Sequence, residues 1–362
     1  MKERRSGDEQ MPARRVAPVG RLSASVAMAA VVSACVGLVP TVPYRVGTIA
    51  VSPLGLSVTD STNSFATTFC ATLTHIDPSN SSWGACSQYL ETSIQHEPAA
   101  TKDIPKTFGV LVIGGLFSDC FENRGVSLFS DALAHLKAHG IFTDIVHVSG
   151  VATPDVNAAT IDAYLKAHPG DYIVVGHSKG AVDVMVALQT SDWARLHIKA
   201  FVSVAGAIYG SRLVDLGKPL VIAGFQQAFQ DTGLGNCAIV DDGAVDSLRR
   251  DRRYAFNRGW SPPRGLPMFS IVGVVDKCET SGALLEARHR LELYSQDQDS
   301  QVIAEEGIVP GAQFLGVARG DHWALAVPLA QPADTHVHKG IEQNVYPRAA
   351  LLEAIVRYVY GV

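Results

Sequence analysis

Apolar residues along the chain fall into short dense runs separated by Gly, Pro and polar stretches, and from residue 108 onward the runs alternate between two periods. Val110-Leu111-Val112-Ile113 is a continuous apolar run closed by Gly114-Gly115, the pattern of a strand covered on both faces of a parallel sheet. Phe129, Leu133 and Leu136 follow at helical spacing, Phe142 to Val148 reads as a strand, and Ile161 to Lys166 as a helix. Tyr172 to Val175 is again a strand, Ala181 to Leu188 a helix and Ala200 to Val204 a strand. This order predicts an α/β fold with a doubly wound, mostly parallel sheet and right-handed crossovers.

The rhythm breaks over about 207–267, where Gly, Pro and charge interrupt short helical patterns such as Val245 to Phe256. An insert of that length in a compact domain reads as a cap or lid. Leu213, Val214, Leu216, Leu220, Val221, Ile222, Phe225 and Phe229 within it predict a largely apolar pocket, unless they serve the cap's own core. Alternation resumes with a strand at Met268 to Val275, a helix near Ala283 to Leu293, a strand at Gln313 to Val317 and a closing helix from Arg348 to Tyr360.

Ahead of this domain, 108–362, lies a lead-in at 45–107 with helices expected around Ser64 to Thr74 and Cys86 to Ser93. Residues 1–44 read as a signal or anchor segment, with five arginines up to Arg21 and then no charge from Leu22 through Tyr44. Val32-Ser33-Ala34-Cys35 resembles a bacterial lipoprotein box, which makes Cys35 a candidate lipidation site. Ordinary cleavage and an uncleaved membrane anchor are the alternatives, and all three imply export to the cell envelope or beyond.

Composition narrows the classes further. The chain is 47% hydrophobic and 18% charged with a net charge of −5, which excludes a disordered or fibrous protein. The Arg249-Arg250-Arg252-Arg253 cluster is balanced by nearby aspartates, so no nucleic-acid partner is expected. Six cysteines show no C-x-x-C pair and no zinc-ligand spacing, so neither a metal nor a cofactor is expected. In an exported protein Cys70 and Cys86 are expected to pair, with Cys237 and Cys278 as a second, weaker pairing.

The chemistry centres on Gly176-His177-Ser178-Lys179-Gly180, a G-x-S-x-G pentapeptide set between a β-branched strand and a helix. A sharp turn there would lift the Ser178 hydroxyl above the sheet, at a helix N-terminus. A serine needs a base, and five histidines follow Ser178. His197 precedes a strand, His289 falls inside a helix, and His336 and His338 lie in a Pro-rich loop. His322 directly follows the last predicted strand, and it alone is placed where a late loop returns over the carboxyl ends of the sheet.

Asp299, 23 positions before His322, is the preferred acid, with Asp276 at the end of a strand as the alternative. Together the three groups are expected to form one hydrogen-bonded chain. Oxyanion donors are expected from the backbone N–H groups of Lys179 and Leu116, with Gly115 as the alternative to Leu116.

From Phe108 to Tyr360 these residues resemble the α/β-hydrolase superfamily, specifically its bacterial serine esterases and lipases. Asp299-Ser300-Gln301-Val302 is similar to the D-x-x-V acid loop of bacterial lipases. Gly114-Gly115 stands where His-Gly is often seen, and Lys179 is less usual after the nucleophile. The resemblance implies a carboxylic-ester hydrolase acting on a small-molecule or lipid ester through an acyl-enzyme. An acyltransferase on the same triad, a peptidase or amidase, or a non-catalytic binding protein on the same scaffold are the competing readings.

Overall fold

The computed structural model describes residues 58–78, 86–92, 103–329 and 340–361. Residues 1–44, expected to be a signal or anchor segment and including Cys35, and His336 and His338 lie outside the described residues.

Seven strands form one sheet in the order β1-β7-β6-β5-β4-β2-β3, and every pairing is parallel. The strands are β1 (Thr59–Asp60), β2 (Gly109–Ile113), β3 (Thr143–Val146), β4 (Tyr172–His177), β5 (Ile198–Val204), β6 (Met268–Val274) and β7 (Gln313–Arg319). The continuous apolar runs are explained by burial on both faces. Val110 and Val112 of β2 enter one core and Leu111 and Ile113 the other, and Ile173 and Val175 of β4 likewise oppose Tyr172 and Val174.

One face is covered by α1 (Thr62–Ile76), α3 (Ser130–Ala138) and α12 (Arg348–Val359), and the other by α4 (Pro154–Ala167), α5 (Lys179–Thr190) and α6 (Asp192–His197). Two further helices complete the frame: α2 (Ser118–Glu122), which follows the β2 loop, and α11 (Leu285–Glu292).

The lead-in adds to this frame. Its β1 pairs with β7, and α1 buries Phe65, Phe69 and Leu73 in the core, with Phe65 edge-on to Tyr358 at 5.5 Å. A disulfide joins Cys70 to Cys86. Of the helix expected over Cys86 to Ser93, only Cys86 is helical among the described residues there, 86–92, and Tyr89 and Leu90 N–H both donate to Cys86 O. The chain then turns, Leu90 bridges antiparallel to Ala318, and Glu91 N–H donates to the Val317 carbonyl, so the sheet edge takes the next backbone donor and the helix goes no further.

The second disulfide corrects the sequence expectation, because Cys237 bonds to Cys120 and not to Cys278. Cys120 lies buried on α2, against the cap, whereas Cys278 sits exposed on the turn after β6.

The insert folds as α7 (Arg212–Asp215), α8 (Lys218–Asp231), α9 (Ala244–Ser247) and α10 (Arg250–Arg258). It is tied down at several points besides the disulfide: Val151 O accepts N–H groups from Asp242 and Ala244, and Arg250 Nε donates to Glu306 at 2.8 Å. Val214 and Phe229 are buried in the core, while Leu216 and Leu220 stay exposed.

Candidate active site

Ser178 is the residue between β4 and α5, held at φ 56° and ψ −126°, a backbone conformation that L-residues rarely adopt. Such strain persists only where the surroundings enforce it. Here Ser178 N–H donates to Val204 O at 3.3 Å, and Ser178 O accepts from Ala181 and Ala207. The motif glycines allow the turn by having no side chain. A Cβ at Gly176 would lie 2.5 Å from Ala181 Cα, and one at Gly180 2.3 Å from Ile113 O. Gly115 brings the β2 loop equally close, since a Cβ there would meet Ser178 Cβ at 2.6 Å.

His322 Nδ1 and Asp299 Oδ2 are 2.7 Å apart, and both side chains are almost wholly buried. The other carboxylate oxygen of Asp299 accepts N–H groups from Gln301 at 2.9 Å and Val302 at 2.8 Å, and Asp299 O accepts His322 N–H at 2.8 Å. These contacts fix the carboxylate and force the Nδ1–H tautomer, which leaves Nε2 as the lone-pair nitrogen. His322 Nε2 is buried with no hydrogen-bond partner. The expected chain is therefore formed from Asp299 to His322 and open between His322 and Ser178, as is common where such bonds tighten only with substrate in place. Asp276, the alternative acid, is exposed at the head of the turn after β6.

The other histidines are engaged elsewhere: His197 Nδ1 lies 2.7 Å from Gly170 O, and His289 is exposed beside Glu292. Leu116, Gly115 and Lys179 N–H donate to no backbone carbonyl among the described residues. Gly115 closes the same loop against Ser178. No group of three His, Cys, Asp or Glu side chains is arranged to hold a metal ion among the described residues.

Three buried groups escaped the sequence reading. His177, inside the motif, directs Nε2 to His322 O at 3.0 Å, with the two rings 4.7 Å apart. Burial and the neighbouring His322 hold its pKa well below the ordinary histidine range, so it stays neutral and donates from Nε2. Asp321 accepts N–H groups from Trp323, Ala324 and Ser281, which pins the His322 loop to the turn before α11. Burial pushes the Asp321 carboxyl up, against the pull of those bonds. The third is Lys179, whose ammonium is fully buried against Asp183. Within the motif only the chain position of His177 and Lys179 was legible, since burial is a tertiary property.

A groove of about 170 Å³ opens beside the loop after β2. Leu116 and Phe117 form one end, Leu213, Leu220, Val221 and Phe225 of the cap one wall, and Leu284 with α11 the other. Aromatic contacts join its walls to the His322 loop, with Phe225 4.9 Å from Phe117 and 5.8 Å from Trp323.

No family model and no curated protein matches this chain. Among solved structures, a metagenomic carboxyl esterase is 27% identical, with a TM-score of 0.71 over 92% of this chain and 98% of the esterase. Lipase 1 from Pelosinus fermentans superposes with a TM-score of 0.52 at 12% identity, covering 71% of this chain and 100% of the lipase. The propeptide form of Bacillus licheniformis lipase BlEst2 superposes at 0.50 and 17%, covering 70% of this chain and 51% of that one. With its parallel sheet, flanking helices and strained serine turn, the chain has the α/β-hydrolase fold, in the form shared by carboxyl esterases and lipases.

Proposed function

We propose that this protein is a serine hydrolase of carboxylic esters. The observation that carries the reading is the buried Asp299–His322 pair, which leaves a basic Nε2 without a partner on the loop held by His177, the residue before Ser178. His322 takes the Ser178 proton as Oγ attacks the acyl carbon, and the Leu116 and Lys179 N–H groups receive the oxyanion. His322 then protonates the departing alcohol, and water, activated the same way, releases the acid.

The groove supplies the acyl site. Its walls are mainly apolar, and Gln227, Asp231, Glu286 and Arg290 bring polar groups to it. Each methylene buried there contributes about 0.8 kcal/mol, so medium acyl chains are favoured over acetate until the groove is full. The likeness to a carboxyl esterase over nearly the whole chain supports the same class of substrate. Initial rates on p-nitrophenyl esters from C2 to C16 test this. Turnover should rise beyond C2 and vanish in Ser178→Ala; undiminished turnover by that variant would remove Ser178 from the mechanism.

We further propose that the protein works outside the cytoplasm. The two disulfides and the basic-then-apolar N-terminal sequence ending at Cys35 support this. Metabolic labelling with a palmitate analogue should mark the wild type and not Cys35→Ser. An unlabelled cytoplasmic chain that still begins at Met1 would contradict export.

A further inference from the structure

Catalysis through an oxyanion hole needs two donors from separate segments, here the loop after β2 and the first turn of α5, to stay in register. We infer that a buried polar chain running Lys179–Asp183–Asn157–Ser149–Gly150–Phe117 holds that register, which makes Asn157 and Asp119 positioning residues. The inference rests on Ser178, Lys179 and Leu116 having the roles proposed above.

The chain begins at the residue after the nucleophile. Lys179 Nζ lies 2.9 Å from both carboxylate oxygens of Asp183 one helical turn on, with both side chains fully buried. Asp183 Oδ2 accepts from Asn157 Nδ2 at 2.8 Å, and Asn157, itself fully buried, comes from α4. The same amide grips the backbone of Ser149 at both ends: Nδ2 donates to Ser149 O at 2.9 Å, and Oδ1 accepts Ser149 N–H at 3.1 Å.

The next residue completes the path. Gly150 O accepts Phe117 N–H at 2.9 Å, immediately after the Leu116 donor, and Gly150 N–H donates to Asp119 Oδ2 at 2.9 Å. A Cβ at Gly150 would meet Phe117 N at 2.8 Å, so the two loops touch backbone to backbone. Phe117 itself is held at φ 59°.

A buried charge with incomplete partners is costly, yet here Lys179, Asp183 and Asn157 satisfy one another away from water. Arg253 of the cap adds a second buried cation near Asp183; its guanidinium donates to Ile208 O at 3.1 Å and packs over Phe256. An apolar core would fill the same space, so the polar chain is explained by what it connects. Its two ends are the elbow that carries Lys179 N–H and the loop that carries Leu116 N–H.

Breaking the chain should therefore impair transition-state binding more than substrate binding. The test uses Asn157→Leu at its centre and Asp119→Ala at its half-buried outer end, the second chosen because it leaves the core intact. Active sites are titrated with a fluorophosphonate, kcat is expressed per titrated site, and KM is measured alongside it. Phe65→Leu, in the core away from the site, serves as a destabilised control.

The expected result is a fall in kcat per site of roughly tenfold or more for Asn157→Leu and several-fold for Asp119→Ala, with KM within about threefold. Affinity for an alkyl boronic acid, which mimics the tetrahedral state, should fall in proportion to kcat. The two losses should combine to less than their product in the double variant, because they interrupt one path. Unchanged turnover per titrated site, with only fewer active sites or a lower Tm as in Phe65→Leu, overturns the inference. Should Asn157→Leu fail to fold, normal kcat per site in Asp119→Ala overturns it alone. A wild-type protein not labelled at Ser178 overturns the underlying assignment, and this inference with it.

Discussion

At the scale of single residues, the proposed site separates groups assigned to react from groups that hold them. Asp299 holds His322 through a carboxylate whose second oxygen is occupied by two N–H groups. Asn at this position would favour the wrong imidazole tautomer. Asp299→Asn should lower kcat by about 10²–10⁴-fold with little change in KM, and Asp276→Asn by no more than about twofold, in steady-state assays. His177 acts through the backbone, its Nε2–H satisfying the His322 carbonyl. His177→Phe keeps a ring and strands that carbonyl, a loss of about 1–3 kcal/mol in chemical denaturation, and His177→Gln, which can still donate, should recover part of it.

At the scale of elements, the cap is a fixed wall. Cys120–Cys237 closes 117 residues of sequence and joins α2, just beyond the loop after β2, to the segment after α8. A cross-link over a loop of that size contributes roughly 2–5 kcal/mol, so Cys120→Ser/Cys237→Ser should melt well below the wild type under non-reducing conditions. A melting temperature equal to that of the oxidised wild type would show that the staple adds nothing. Val221 and Phe225 of α8 face the groove. Val221→Trp should cost roughly tenfold on octanoate esters, equivalent to about two methylenes no longer buried, while leaving acetate turnover near the wild-type rate. Equal losses on both substrates would place the acyl chain elsewhere.

At the scale of the whole molecule, buried carboxyls give stability a pH slope. Glu91, beside β7, has its pKa raised from 4.5 to about 8, chiefly by burial, with Arg319 opposing. The folded state thus keeps a proton that the unfolded chain has released between those values, and stability falls as pH rises through that window. Asp183, Glu306 and Asp321 are pushed in the same direction by burial. Melting temperature should therefore decline from pH 5 to pH 9, and Glu91→Gln should flatten the decline. A variant with the same slope as the wild type would remove Glu91 as a cause.

The strands β2, β4, β5, β6 and β7 were legible in the sequence because burial on both faces leaves continuous apolar runs that no amphipathic helix shares. Ser178 and His322 were legible for a local reason, since a strand-to-helix turn between glycines and a late loop after the last strand are written in consecutive residues. Asp299 could be preferred over Asp276 on spacing and resemblance, but the choice was made by packing. The His322 loop folds back on Asp299, whereas Asp276 stands in solvent at the head of the turn after β6. Tertiary structure also decided that Cys237 meets Cys120, because a cap can bring together residues far apart in sequence where a count of cysteines cannot. The polar chain from Lys179 to Phe117 draws on four segments, each ordinary by itself. Sequence periodicity reports which residues are buried; which buried polar groups meet depends on how the layers pack, and that is fixed only in three dimensions.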